Sequence, residues 1–418
     1  MLNKGGCMTQ NNIDESTEKR AAYCLSCPVP RCENGCPVGN HIRDYIKAIK
    51  EKDAVRSAEI LYSVNPFPQL TCRLCDYARQ CQGHCVRGIK GSPVEIHEIE
   101  KYISDANSRN VSAGTANGRS IAIVGAGPAS LAAALDLRQA GYQTEIYEKL
   151  DRVGGAVYSG IPSYRFDKKY LDEIYEDEKK LGTIFHFGCE VGRDISLKEL
   201  LDSHDRVLLT SGAQIENTYG LSGEGCEAGL SLLYHLNVED QAAVYQKKYH
   251  RAAVWGGGNV AMDCARSLVR ILDEVTVIYR RSEKEMPANR DEIEAAKKEG
   301  VKFAFLENIK ELRLDEQGRV IGAHCIKMHL GEPDASGRAR PIETAGSDYE
   351  IPCELVIPAI GQSVSFEIFD ADIKKQEGTH VSTMPHVYIA GDAYLGPKTV
   401  AACIKDGRDA AAEMMRSF

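Results

Sequence analysis

Two groups of cysteines carry the first recognisable chemistry of this 418-residue sequence: Cys24-x2-Cys27-x4-Cys32-x3-Cys36-Pro37, then Cys72-x2-Cys75-x5-Cys81-x3-Cys85. With Cys7 they place nine of the 15 cysteines within the first 85 residues. The N-terminus lacks the basic patch, apolar core and cleavage site of a secretory signal, so the expected compartment is the cytoplasm. Reducing conditions there disfavour disulfides and favour metal ligation. The 2, 4, 3 spacing ending in proline resembles the bacterial ferredoxin run, in which the cysteine before proline ligates a different cluster from the first three. Cys36 then needs three distant partners, and the second group offers four candidates. Two clusters are implied. The plainer alternative is a pair of four-cysteine zinc sites, although zinc pairs usually use C-x2-C twice.

A second kind of chemistry begins at Ser120, where an apolar run leads into Gly125-Ala126-Gly127-Pro128-Ala129-Ser130 and an amphipathic segment. Strand, glycine turn and helix in that order open a Rossmann-type dinucleotide site. Gly125 permits the turn, Gly127 lets backbone approach a pyrophosphate at the helix N-terminus, and the small Ser130 lets helix pack on strand. Glu148 ends the next strand, where a carboxylate can accept from ribose hydroxyls. A second loop, Gly256-Gly257-Gly258-Asn259-Val260-Ala261, follows Ala252 to Trp255. Its second strand ends in Arg280-Arg281 instead of an acid; two guanidiniums there suit a 2'-phosphate, favour NADP(H) over NAD(H), and could be assisted by Arg290. Near the C-terminus, Pro385 to Ile389 reads as a short strand closing on Gly391-Asp392, with a helix starting around Lys398 to Val400.

These groups must be positioned by two or three cores, which a chain of this length can bury at roughly 150 residues per domain. The stretch His41 to Leu61 has helical apolar spacing (Ile42, Tyr45, Ile46, Ile49) and could bring the cysteine groups together. The fold class is α/β: a helical N-terminal domain (1–118) followed by two Rossmann-like domains, the second (250–352) inserted in the first (119–249 and 353–418). A polar linker from Asn107 to Gly118 separates the helical part, Arg290 to Gly300 reads as a charged helix, and Gly331 to Tyr349 as an exposed loop. No segment has the roughly 20 apolar residues of a spanning helix. A net charge of -9, from 60 acids against 51 Lys and Arg, argues against a nucleic-acid partner. His204, His250 and His386 have no metal-ligand spacing.

The order of parts resembles the small (beta) subunit family of NADPH-dependent glutamate synthase. Its relatives include the N-terminal half of dihydropyrimidine dehydrogenase and the large subunit of NADH-dependent reduced ferredoxin:NADP oxidoreductase. The resemblance runs from Tyr23 to about Ala412. It rests on the cysteine ladder, both glycine loops, Gly154-Gly155, Gly160 to Arg165, Tyr279-Arg280-Arg281 with Glu285 to Ala288, Pro358 to Gln362, and Ala390-Gly391-Asp392. It implies FAD at the first loop, NADP(H) at the second, and two 4Fe-4S clusters. The first cluster would take Cys24, Cys27, Cys32 and a non-cysteine ligand, Glu100; the second would take Cys36, Cys75, Cys81 and Cys85. Cys72 is a non-ligand, because the family's extra cysteine falls where this chain has Thr71, and so is Cys7. In the FAD domain the family pattern assigns Gly125 to Ser130 to the pyrophosphate, Glu148 and Lys149 to the adenosine side, and Gly155 and Arg165 to the stretch approaching the flavin. Asp392 would hold the ribityl or phosphate portion, and the helix start at Thr399 and Val400 would face flavin O2 and N1. Gly256, Gly258, Asn259 and Val260 would take the NADP(H) diphosphate and Arg280 with Arg281 its 2'-phosphate.

The resemblance implies a subunit that passes electrons between NADP(H), FAD and iron-sulfur clusters, with hydride transfer needing no general acid or base. The expected partner is a larger catalytic or electron-transfer subunit, or ferredoxin; no membrane partner is expected. A second reading is a ferredoxin:NADP oxidoreductase subunit, including an electron-bifurcating one, and a third is a non-catalytic scaffold.

Overall fold

The computed structural model describes residues 13–107, 109, 111–333 and 337–418, so Cys7 lies outside the described residues. Its chain divides into two compact units, one ending at Val157 and resuming over Phe166–Ala213 and Val364–Phe418, the other formed by Tyr158–Arg165 and Gln214–Ser363. Among the described residues no helix is long and apolar enough to cross a membrane.

The helical part of the first unit is built on alternating apolar faces. The expected helix over His41 to Leu61 is two helices, Ile42–Lys50 and Ala54–Val64. Lys52 turns left-handed between them (φ 58) and the Asp53 carboxylate accepts the Arg56 N–H, starting the second helix afresh. Ile42, Tyr45, Ile46 and Ile49 pack against Ile96, Ile99 and Ile103 of helix Ile96–Ala106 in one buried core. The rest of this unit is a seven-stranded sheet in the order Lys375–Gln376, Thr379–Ser382, Val387–Ile389, Arg206–Leu209, Ser120–Val124, Gln143–Glu148, Ile184–Phe187. The C-terminal strand Val387–Ile389 pairs parallel with Arg206–Leu209 and completes the sheet, as a split domain requires. Helix Val400–Arg416 then packs along helix Pro128–Gln139. Gly407 makes that approach possible, since a Cβ there would lie 2.1 Å from the Ala129 carbonyl oxygen. Gly407→Ala is expected to lower the stability of this unit by about 3 kcal/mol, read as a lower denaturant midpoint.

The second unit carries a parallel sheet, Leu355–Pro358, Arg251–Trp255, Glu274–Tyr279, Lys302–Phe305. It also holds an antiparallel sheet of Glu307–Leu314, Val320–Pro333, Ala339–Glu343 and Tyr349–Ile351. Two expectations change here. The inserted unit extends well beyond 250–352: Leu355–Pro358 pairs with the strand preceding the second glycine loop, and helix Gly229–Asn237 packs on helix Asn259–Leu268. A four-residue buried run does not declare which sheet it joins. The stretch Gly331 to Tyr349, expected as a loop, contains strand Ala339–Glu343, which pairs with the end of Val320–Pro333. Where the chain enters and leaves the unit, Ile215–Glu216 and Gln362–Ser363 form a two-stranded ribbon.

Candidate functional site

The eight expected cysteine and carboxylate ligands gather around two cavities in the first unit. One is lined by Cys24, Cys27, Cys32 and Cys85 together with Ile42, Ile46, Val94 and Ile96. The other is lined by Cys36, Cys75, Cys81 and Glu100 with Thr71, Tyr77, His97 and Ala401. Helix Ile96–Ala106 serves both: Ile96 faces the first cavity and Glu100, one turn on, the second. Ile42 walls both.

This arrangement corrects the expected grouping. Glu100 belongs with Cys36, Cys75 and Cys81, and Cys85 with Cys24, Cys27 and Cys32. The reason is local: Cys81 and Cys85 flank the tight turn Gln82–His84, which sends the two thiols to opposite cavities. Cys72 lines neither cavity; it is buried, with the Arg73 guanidinium donating to its sulfur at 3.1 Å.

Glu100 is held in a way the sequence did not announce. Its Oε1 accepts from Thr71 Oγ1 at 2.7 Å, Asn65 Nδ2 at 3.2 Å and Asn40 Nδ2 at 3.4 Å. Three donors on one oxygen leave Oε2 as the oxygen without a hydrogen bond among the described residues. Burial, opposed by those bonds, pushes the carboxyl up to about 7. The thiols are raised too: burial, with Glu33 and Cys85 adding to it, pushes Cys32 up to about 12, and burial with Glu100 nearby raises Cys36, Cys75 and Cys81. Mutually facing buried thiols and a carboxyl ionise together only when cations sit among them. The donors themselves, four cysteines at one cavity and three cysteines with a carboxylate at the other, are of the kind that holds iron-sulfur groups. Backbone N–H groups already aim at sulfur, Ser26 to Cys24 and Asn40 to Cys36.

The first glycine loop has the geometry its sequence implies. Gly125 is left-handed (φ 97), and a Cβ there would stand 2.8 Å from the Thr210 carbonyl oxygen. Gly127 caps helix Pro128–Gln139, and Pro128 in the first turn sacrifices no hydrogen bond, leaving the Ala129 and Ser130 N–H groups at an anion-binding helix start. Ser130 is fully buried and its hydroxyl meets Thr210 Oγ1 at 2.7 Å, so it fastens helix to strand. Glu148 braces the loop from both sides, Oε2 accepting the Ala126 N–H at 2.7 Å and Oε1 the Leu150 N–H at 2.9 Å. Lys149 beside it is exposed, and Gly155 lies against Gly127, where a Cβ would come within 3.2 Å of its Cα. Asp392 Oδ1 accepts the Lys398 N–H and the Cys403 thiol, steadying the approach to helix Val400–Arg416, whose first N–H groups are capped by the Thr399 side chain. One residue into that helix, Ala401 reaches the second cavity.

Behind this loop stands a cluster with no motif to reveal it. His380 lies between two carboxylates, Nε2 at 3.1 Å from Asp406 Oδ1 and Nδ1 at 3.0 Å from Glu413 Oε2, and these raise its pKa against the opposing effect of burial. Asp406 Oδ2 in turn accepts the Gly391 N–H at 2.7 Å. A raised histidine contributes stability that is complete below its ordinary value near 6.5 and is lost as pH rises through the raised one. Stability of this unit is expected to decline as pH rises across that window, and His380→Gln to flatten the decline, as read by thermal unfolding at stepped pH.

In the second unit, Gly256 is left-handed (φ 151) and a Cβ there would stand 2.3 Å from the Ala359 carbonyl oxygen. Gly258 caps helix Asn259–Leu268, while the Asn259 side chain accepts the Asn289 N–H at 2.9 Å and Val260 follows it in the first turn. Two further expectations change. Arg280 is exposed, but Arg281 is buried and its Nε donates to the Ala339 carbonyl at 2.8 Å; both lie in the bend just past the strand's end at Tyr279, which turns only the second one inward. Arg165, expected near the flavin, instead belongs to the second unit. There its buried guanidinium pairs with Asp263 at 2.7 Å and Glu292 at 3.0 Å, in a network continued by Arg266, Arg270 and Glu299. Arg290 is exposed at the start of helix Arg290–Lys298.

Residues 6–111 match the family model of dihydropyrimidine dehydrogenase domain II, 4Fe-4S cluster, and residues 119–407 that of pyridine nucleotide-disulphide oxidoreductases. The chain is 33% identical to the glutamate synthase [NADPH] small chain of Azospirillum brasilense, over 95% of this chain and 88% of that one. It is 34% identical to the NADP(+)-dependent formate dehydrogenase subunit beta of Moorella thermoacetica, over 91% of this chain but only 59% of that protein. The solved structure of Mycobacterium tuberculosis FprA in complex with NADPH shares the fold, with a TM-score of 0.62, 19% identity and coverage of 71% of this chain and 84% of that one.

Proposed function

From the premise that the chain belongs to the glutamate synthase small-chain family, and so is an NADPH-linked oxidoreductase, we propose that it binds one FAD, one NADP(H) and two 4Fe-4S clusters and delivers electrons to a partner protein. The observation that carries this reading is the pair of thiol-lined cavities, the second of which touches the helix start assigned to the flavin through Ala401. FAD supplies the conversion between a two-electron hydride donor and one-electron iron-sulfur centres.

The chain's own residues would do the rest. Cys24, Cys27, Cys32 and Cys85 would hold one cluster; Cys36, Cys75, Cys81 and the Glu100 oxygen left without a hydrogen bond would hold the other. Gly125 to Ser130 would take the flavin's pyrophosphate, Glu148 the ribose side, and Gly391, Asp392, Thr399 and Val400 the region nearer the ring. Gly256 to Val260 would hold the NADP(H) diphosphate, with Arg280 on its 2'-phosphate. Ile42 walls both cavities. Purified without oxygen, the chain should contain about eight iron, matching sulfide and one FAD. Zinc without sulfide would contradict the reading.

A further inference from the structure

We propose that the face around the first cavity, made by residues 23–31 and 86–92, is the docking surface for an acidic protein that exchanges single electrons. The proposal rests on the reading of that cavity as a cluster site and adds the chemistry of the partner. Three observations carry it.

The first is that the two segments form one surface. Tyr23 Oη donates to the Ser92 carbonyl at 3.2 Å, Arg87 Nε donates to the Tyr23 carbonyl at 2.9 Å, and the Arg87 guanidinium stacks 4.1 Å over the Tyr23 ring. Leu25, Arg31 and Arg87 on these segments also line the cavity itself.

The second is apolar exposure. Leu25, Val29 and Ile89 are 52%, 71% and 65% exposed on these same short stretches. Exposed aliphatic groups gathered beside a cofactor cavity mark a surface meant to be covered.

The third is charge. The chain as a whole is acidic, at -9, yet it has no Asp or Glu from Lys19 to Cys32 and none from Tyr77 to Val94. Arg31, Lys50, Arg87 and Lys90 form no ion pair among the described residues; Lys50 and Arg87 spend their hydrogen bonds on backbone carbonyls and the Ser26 hydroxyl. The nearest acids are engaged: Glu95 with Arg20, Asp44 with Arg43, and Glu33 with the Arg43 N–H. A basic, apolar-studded face on an acidic chain selects an acidic partner and repels a basic one. Such a face also brings the partner's redox centre near the half-exposed Cys24, Cys27 and Cys85.

Direct binding of the full, cluster-loaded, oxidised chain, measured calorimetrically without NADPH, tests this. The probes are an acidic plant-type 2Fe-2S ferredoxin and the basic cytochrome c. The ferredoxin is expected to bind at low salt, to weaken steeply as salt rises, and to lose about tenfold in affinity to the Val29→Glu/Lys90→Glu variant. Neither side chain lines a cavity, so that variant should keep its iron content and visible spectrum. No ferredoxin binding, equal or tighter binding of cytochrome c, or unchanged affinity of the variant overturns the proposal. Reduction of the flavin by NADPH, followed separately, tests the underlying function whatever the binding result.

Discussion

A chain carrying Cys24→Ala together with Cys85→Ala should retain about four of its eight iron atoms after anaerobic reconstitution, because both substitutions strike the same centre. The two thiols line one cavity, with Cys27 and Cys32. The sequence-based grouping, which put Cys85 in the other centre, requires the same double variant to lose nearly all its iron. Glu100→Ala combined with Cys36→Ala should likewise leave about half, since these groups share the second cavity. Glu100→Gln is the milder case: an amide oxygen can still be presented once Thr71, Asn65 and Asn40 hold the other end. Iron and sulfide assays with electron paramagnetic resonance of the reduced protein distinguish the outcomes, and loss of all iron in both double variants would contradict the assignment.

The largest effect on nucleotide choice is expected from Arg280→Ala. A guanidinium at the end of the second strand is the exposed cation of the Arg280-Arg281 pair, and its loss should raise the KM for NADPH roughly tenfold to a hundredfold while leaving that for NADH nearly unchanged. Arg281→Ala should act differently. Its side chain is buried and donates to the Ala339 carbonyl, so removal opens a cavity and strands an acceptor, lowering stability by about 1 to 3 kcal/mol without altering the NADPH to NADH ratio. Steady-state kinetics with a dye acceptor and both nucleotides separate the two. Loss of discrimination in Arg281→Ala with Arg280 intact would contradict this division of roles.

What could be read from the sequence was what depends on neighbours along the chain. Both glycine loops, the acid at Glu148 and the small Ser130 are local devices, and each takes the backbone place its spacing implied. The split of the first sheet was also legible, because Val387–Ile389 is too short to stand alone and closes on Gly391-Asp392. What failed depended on three-dimensional choice. Cys81 and Cys85 are chemically identical and four residues apart, so only the turn between them decides which cavity each enters. Arg280 and Arg281 are adjacent, and only the bend that follows the strand decides which is solvated. Arg165 looked like part of a flavin-facing stretch, yet Asp263 and Glu292, about a hundred residues later, claim it. Leu355–Pro358 is apolar enough for either sheet, and it pairs with Arg251–Trp255. Thr71, Asn65 and Asn40, which determine the oxygen that Glu100 offers, belong to no motif.

The central claim is that electrons from NADPH reach iron through this single chain. Its most direct test is an anaerobic titration of the loaded protein with NADPH and, separately, NADH, following visible absorbance. Bleaching of both flavin and iron-sulfur absorption by NADPH, at far lower concentration than by NADH, is the predicted result. A flavin that neither nucleotide reduces, or one that bleaches while the iron-sulfur absorption stays oxidised, would contradict it.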